Sequence, residues 1–274
     1  MPQHEEQDKQ RVVYSITNME QVDIKKNITY KTVDGTELQM DVYYPPDFQA
    51  GFRRPAVIFI HGDPPPDRVV HSKDMGQYLS WGQLTAASGL IAVTFNHRSS
   101  EILTKAYEVA ADIDDLLYFV LTRAETLGVD KDTIGIWVCS AGTPFGLRAA
   151  MLEVPAYVKC IISYYGPMNL QHLRQAYPPE ISDETLREFS AVYHLSSRPG
   201  EIAPLFIARA GLDYPSLNES IDRFVSEALT HNISISLMNH PQGEHGFDVR
   251  NHNARSREII RATLEFMKAH LGNA

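Results

Sequence analysis

Residues 133–151, Thr-Ile-Gly-Ile-Trp-Val-Cys-Ser-Ala-Gly-Thr-Pro-Phe-Gly-Leu-Arg-Ala-Ala-Met, constrain the fold more than any other stretch. Ile134 to Cys139 is an apolar run with the length and β-branched character of a buried strand. It stops at Ser140-Ala141-Gly142, and a segment rich in Ala, Leu and Met follows with helical character. A strand, a sharp turn and a helix are the setting in which a serine at the apex of a G-x-S-x-G-like turn carries chemical meaning. Such a turn pushes the hydroxyl out of the sheet. Small residues after it let the helix come close, and the first turn of that helix offers unpaired N–H groups to an anion.

The rest of the 274-residue chain fits around a strand of this kind. Ile28, Tyr30 and Thr32 alternate with polar residues, as do Leu38, Met40 and Val42, and Asp34-Gly35 lies between them, so an antiparallel hairpin is expected. Ala56–Ile60, Leu90–Phe95, Val158–Tyr164, Leu205–Ala210 and Ile233–Met238 read as further strands, most of them continuous apolar runs expected to be covered on both faces. Between them lie a weak helix over Gln77–Ser88, an amphipathic helix over Val109–Ala124 closed by Gly128, a helix on Ile221, Phe224, Val225, Ala228 and Leu229, and a closing helix on Ile259–Met267. The alternation predicts an α/β fold: a mostly parallel eight-stranded sheet with an antiparallel N-terminal hairpin and helices on both faces. Residues 1–20 are expected to be a polar arm and 21–274 a single domain. A long stretch without a strand, Met168–Ala203, interrupts the domain. The helix residues Asp112, Asp114 and Asp115 are expected to form a solvated stripe.

Composition narrows the function classes. The formal net charge is -9 with no basic cluster, which argues against nucleic acid or an anionic membrane surface as partner. No run of 18 apolar residues is present, and the amino end has no signal-peptide core, so a cytoplasmic protein is expected. Both cysteines, Cys139 and Cys160, fall within apolar runs, as reduced buried thiols would.

Open parallel sheets place ligands at the carboxyl ends of their strands. After the strand ending at Ile60 come His61-Gly62-Asp63-Pro64-Pro65-Pro66. After Cys139 comes Ser140, after Ala210 come Gly211-Leu212-Asp213, and after the last strand come Asn239-His240-Pro241-Gln242-Gly243-Glu244-His245-Gly246-Phe247. A nucleophile, a carboxylate and an imidazole therefore leave strand ends in the order Ser, Asp, His. In that order, and in the elbow itself, the chain resembles the α/β-hydrolases, and within them the esterase and dienelactone-hydrolase-like branch, over about residues 24–272.

The resemblance implies a catalytic triad of Ser140, Asp213 and His245. His240 competes with His245, but it precedes Pro241 and is better suited to shaping the loop. Glu219, Asp222 and Asp248 are the rivals of Asp213. An oxyanion hole would take one N–H from Ala141 and a second from Gly62 or Asp63, Asp63 being favoured by position. Pro64, Pro65 and Pro66 have no N–H to give. His61, Tyr165 and Tyr214 are the expected substrate contacts, while Tyr164 and Trp81 suit core packing as well as a pocket wall. In similar hydrolases the segment after the sixth strand forms a cap, which assigns that role to 168–203. Arg98 would tie loops together. Two departures stand out: Val138 replaces the first glycine of the elbow, and the stiff Asp63–Pro66 loop replaces glycines.

The expected activity is cofactor-free, metal-free hydrolysis of small-molecule carboxylic esters through an acyl-enzyme. His240 and His245 lack a carboxylate or thiol at metal-ligand spacing. Peptidase, lactonase or thioesterase activity on the same triad, or a non-catalytic ligand-binding relative, are the alternatives. A homodimer through the eighth strand is a further possibility, since an edge strand can pair.

Overall fold

The computed structural model describes residues 8–63 and 65–272. In chain order the elements are β1 (Asp23–Val33), β2 (Thr36–Tyr44), β3 (Arg54–Ile60), α1 (Gly76–Ala87), β4 (Ile91–Phe95), α2 (Ala106–Thr122), the one-turn α3 (Ala124–Leu127), β5 (Val129–Cys139), α4 (Thr143–Met151), β6 (Val158–Tyr164), α5 (Asp183–Glu188), β7 (Leu205–Ala210), α6 (Pro215–Thr230), β8 (Ile235–His240), α7 (Phe247–Arg250) and α8 (Ala254–Leu271). The strands form one eight-stranded sheet in the order β1-β2-β4-β3-β5-β6-β7-β8. β1–β2 and β2–β4 pair antiparallel and every other pair is parallel. Asp34 and Gly35 close the hairpin, both at positive φ (50° and 78°), which matches the twist of the strands they join.

Two apolar layers cover the sheet. On one face α1 and α8 pack over Phe59, Trp137 and Tyr164, with Trp81 completing an aromatic stack. On the other, α2, α4 and α6 cover Ile58, Ile60, Ile136 and Ile161. β5 lies near the middle, between β3 and β6. The side chains that leave the carboxyl ends of β3, β5, β7 and β8 therefore converge.

Three segments differ from the reading of the sequence. The expected polar arm is docked where it is described. Val12 is buried, its N–H donates to Ser80 Oγ at 2.9 Å, and Val13 N–H donates to the Asp248 carbonyl at 2.8 Å. The first seven residues of that arm lie outside the described residues. Residues 168–203 pack Met168, Leu170, Leu186, Phe189 and Leu195 into the core, with Phe189 against Phe145 of α4 at 5.4 Å between ring centroids.

Asp112 is the third, and it corrects the solvated stripe. Its side chain is fully buried, whereas Asp114 and Asp115 are exposed. It accepts from Arg98 Nε and Nη2 at 2.9 Å each and from Arg98 N–H at 3.0 Å, and it pairs with Lys31 Nζ at 2.7 Å. The partners come from β1 and from the loop after β4, which helix spacing alone does not reveal. Arg98, which also donates to Glu108 Oε2 at 2.8 Å, thus ties the loop after β4 to helix α2 rather than loops to one another. Burial alone would raise the Asp112 pKa, but hydrogen bonds from Arg98 and Lys31 hold it below the ordinary carboxylate value. A depressed pKa contributes stability that is full above about pH 4 and is lost as pH falls through the folded value. Asp112→Asn is therefore expected to lose about 2–3 kcal/mol at pH 7, less than for a fully buried pair because Arg98 and Lys31 are partly exposed. Urea unfolding at pH 7 and at pH 3 checks this, the difference from wild type shrinking at the lower pH.

Candidate active site

Ser140 sits at the turn between β5 and α4 with φ 50°, a left-handed conformation that costs a non-glycine residue on the order of 1–3 kcal/mol. The strain is held from both sides. A Cβ on Gly142 would come within 2.1 Å of the His61 carbonyl oxygen, so only glycine lets the turn rest against the loop after β3. Val138 lies beneath the elbow in place of the expected glycine, and the missing space is supplied from above. A Cβ on Gly146, one turn into α4, would lie 2.2 Å from Val138 Cγ1 and 2.8 Å from Ile60 Cδ1. The helix therefore crosses the strand closely with the valine and glycine in exchanged places.

The structure brings Ser140, His245 and Asp213 into one chain of contacts. Ser140 Oγ is 2.8 Å from His245 Nε2, and His245 Nδ1 is 2.6 Å from Asp213 Oδ2. With the proton on Nδ1 donated to the buried carboxylate, Nε2 is left to accept the serine proton. Asp213 Oδ1 accepts the Tyr214 N–H at 2.8 Å, which fixes the carboxylate. The competitors have other partners. His240 Nε2 lies 3.1 Å from both Asn253 Oδ1 and Ser256 Oγ at the start of α8. Glu219 pairs with Arg223 and His172, and Asp222 with Arg209. Asp248, fully buried, accepts from Tyr165 Oη at 2.6 Å and from Gln77 Nε2 and Trp81 Nε1 at 2.9 Å each.

The loop after β3 faces the serine. Gly62 donates its N–H to Tyr78 Oη at 3.1 Å, so of the two expected donors in this loop Gly62 already has an acceptor. The Asp63 carboxylate turns away from the serine and accepts from Ser100 N–H at 2.7 Å and Ser100 Oγ at 2.5 Å. Pro64 lies outside the described residues. His61 stacks on His97 at 3.7 Å between ring centroids, and its Nδ1–H donates to the Gly62 carbonyl at 2.6 Å. Burial, with His97 beside it, pushes the His61 pKa well down, so the ring is neutral and braces the loop.

A cavity of about 390 Å³ opens onto Ser140 and His245. His61 and Tyr165 line it, Tyr165 with its ring 4.8 Å from that of His245. Tyr214 does not. It is 74% exposed at the start of α6, and Tyr164 and Trp81 are wholly buried in the core. None of the lining residues belongs to 168–203, because the apolar side chains of that segment are turned into the core beside α4. The wall is supplied instead by Asp8 and Gln10 of the docked arm and by residues of 65–75. Lys73 anchors the latter segment. It is 1% exposed, and its Nζ reaches Asp41 Oδ1 at 3.0 Å and Asn27 Oδ1 at 2.8 Å. Tyr78 and Gln77, at the start of α1, are lining residues that the sequence did not point to.

Chemically, the arrangement offers an activated hydroxyl, a general base and backbone donors in a small cavity. Cys139, next to the serine, is not a competing nucleophile, since burial pushes its thiol up to about 12. Among the described residues no group of three or more His, Cys, Asp or Glu side chains is placed to hold a metal ion, and no helix is long and apolar enough to cross a membrane.

The BD-FAE family model matches residues 40–192, more than half of the chain. No curated protein matches. Solved structures do. Esterase 2 of Thermogutta terrifontis in its apo form is 20% identical, with a TM-score of 0.73 over 93% of this chain and 98% of that one. Its propionate-bound form is also 20% identical, with a TM-score of 0.72 over 93% and 97%. The form phosphonylated by sarin is 19% identical, with a TM-score of 0.70 over 92% and 97%. At this identity the likeness carries the fold.

Proposed function

The chain belongs to the BD-FAE family, an α/β-hydrolase-type esterase family, and from that premise we propose that it is a serine esterase acting on small-molecule carboxylic esters through Ser140, His245 and Asp213. The single observation that carries the residue assignment is the unbroken contact from Ser140 Oγ to His245 (2.8 Å) and from His245 to Asp213 (2.6 Å).

Ser140 Oγ attacks the ester carbonyl while His245 Nε2 takes its proton. The carbonyl electron pair moves to oxygen, where the N–H groups of Ala141 and Asp63 stabilise it. Collapse of this intermediate expels the alcohol, which takes the proton from His245, and leaves an acyl-Ser140. Water, deprotonated by His245, then attacks the acyl group and releases the acid. Asp213 orients the imidazole throughout. The cavity volume, about 390 Å³, is in the range of small-molecule sites. Residues 8–10 and 65–75, rather than 168–203, act as the cover of the site.

Two further assignments belong to the proposal. β8 is an edge strand with Leu237 44% exposed, a feature that supports pairing of two copies there. Cys139 and Cys160 are free and buried, as suits a cytoplasmic setting.

The test is incubation with a fluorophosphonate, followed by intact mass and peptide mapping, beside turnover of p-nitrophenyl acetate, butyrate and octanoate. One equivalent of label on the peptide containing Ser140, with loss of turnover in proportion, is the expected result. A folded protein that is neither labelled nor active on any of the three esters would identify the site as a ligand-binding cavity instead.

A further inference from the structure

Tyr78 is 5% exposed at the start of α1 and lines the cavity beside the elbow. The oxygen is fixed: it accepts the Gly62 N–H at 3.1 Å. A Cβ placed on Gly62 would lie 3.7 Å from Ser140 Cβ and 4.0 Å from Tyr78 Oη, so both side chains face the same point of the loop. The phenolic proton, by contrast, has almost nothing to do. The remaining contact of the hydroxyl is Cys139 Sγ at 3.4 Å. If the phenol donates there, the acceptor is a weak one. If the thiol donates, the phenolic proton has no acceptor among the described residues. A buried hydroxyl whose donor is spare, next to a nucleophile, is a polar group waiting for a stronger acceptor.

We propose that the Tyr78 hydroxyl is a third donor to the oxyanion formed on attack by Ser140, passing the place of Gly62 in the hole to a side chain. The inference rests on the serine-esterase reading above. In the resting enzyme the Gly62 N–H is spent on Tyr78 Oη. When the Ser140 Oγ–carbon bond forms and the carbonyl π pair moves to oxygen, the Tyr78 O–H turns from Sγ to that oxygen. The Gly62 N–H still donates to Tyr78 Oη and polarises the phenol, which strengthens its outgoing hydrogen bond. No proton is transferred. Burial, with Cys139 beside it, pushes the Tyr78 pKa well above that of an ordinary tyrosine, so the phenol keeps its proton as the oxyanion comes and goes. The interaction exists only once charge has developed, which is the condition for acceleration rather than for tighter substrate binding.

The experiment is steady-state hydrolysis of p-nitrophenyl butyrate by wild type and Tyr78→Phe, with fluorophosphonate labelling and thermal melting of both. Loss of one donor from an oxyanion hole typically costs about 10²–10³ in kcat, and with two backbone donors left the expected loss is roughly 10- to 100-fold. KM should stay within about twofold, since the bond is absent from the ground state. A wild type that turns over and is labelled, beside a Tyr78→Phe enzyme with kcat within about twofold of it, would overturn the inference while leaving the esterase reading intact. A wild type with neither property removes both.

Because phenylalanine also deprives Gly62 of its acceptor, a second variant separates donation from bracing. Difluorotyrosine at position 78 keeps the ring and the oxygen but makes the phenol more acidic. With the proton in place it is a stronger donor and a weaker acceptor than tyrosine. At a pH where both phenols are protonated, kcat is expected to match or exceed that of wild type. A kcat that falls instead, as weaker acceptance of the Gly62 N–H would cause, would show that Tyr78 only braces the loop.

Discussion

Ser140→Ala is expected to lower kcat for p-nitrophenyl butyrate by a factor on the order of 10⁴ or more, with the melting temperature unchanged or slightly lowered. The size follows from the site. Among the described residues His245 meets no hydroxyl but that of Ser140, and Cys139, though adjacent to Ser140 in sequence, is buried with its thiol pushed up to about 12. Residual turnover would come from binding and from the backbone donors acting on water. The direction of the stability effect follows from the φ of 50° at Ser140, which alanine shares without the hydroxyl's hydrogen bond to His245. A loss in kcat below about tenfold would remove Ser140 from the role of nucleophile.

Gly146→Ala is expected to destabilise the protein by about 1–3 kcal/mol, the usual range for one methyl too many in a filled core. The new Cβ would lie 2.2 Å from Val138 Cγ1, so either α4 lifts from the sheet or the valine leaves its rotamer. Either movement reaches Ser140, two residues beyond Val138. Activity should therefore fall together with stability. Val138→Ala alone opens a small cavity and costs about 1 kcal/mol or somewhat more. Combined with Gly146→Ala it removes the group that the new methyl strikes. The pair is then expected to be less damaged than the sum of the single changes by about 0.5–3 kcal/mol. Urea unfolding of the four proteins completes the cycle. Strict additivity would mean that Val138 and Gly146 do not share one packing contact.

How far the sequence discloses this molecule depends on whether the determinants are local. The strands are apolar runs bounded by turn residues, so the sheet is readable, and with it the carboxyl ends where Ser140, Asp213 and His245 emerge. Asp112 is misread because its solvation depends on Lys31 and Arg98, which arrive from β1 and from the loop after β4. Residues 168–203 look like a cover because they are long and because similar hydrolases carry a cap after the sixth strand. Their buried Met168, Leu186 and Phe189 are the signal that they pack downward instead. Tyr78 carries no motif, and only the fold sets the first turn of α1 against Gly62. The exchange of Val138 and Gly146 was within reach, since a bulky residue under an elbow calls for a small one eight positions on. Tyr214, next to Asp213 in sequence, is drawn toward solvent by the helix it begins.

The docked arm has a practical consequence. Gln10 and Asp8 form part of the cavity wall, and Val12 and Val13 are fastened to Ser80 and Asp248. Residues 8–13 are thus a component of the cavity wall, although they lie outside the sheet and its helices. Replacing Val12 by a charged residue is therefore expected to change the chain-length preference among p-nitrophenyl esters, because a charge does not fit the buried place that fastens this wall.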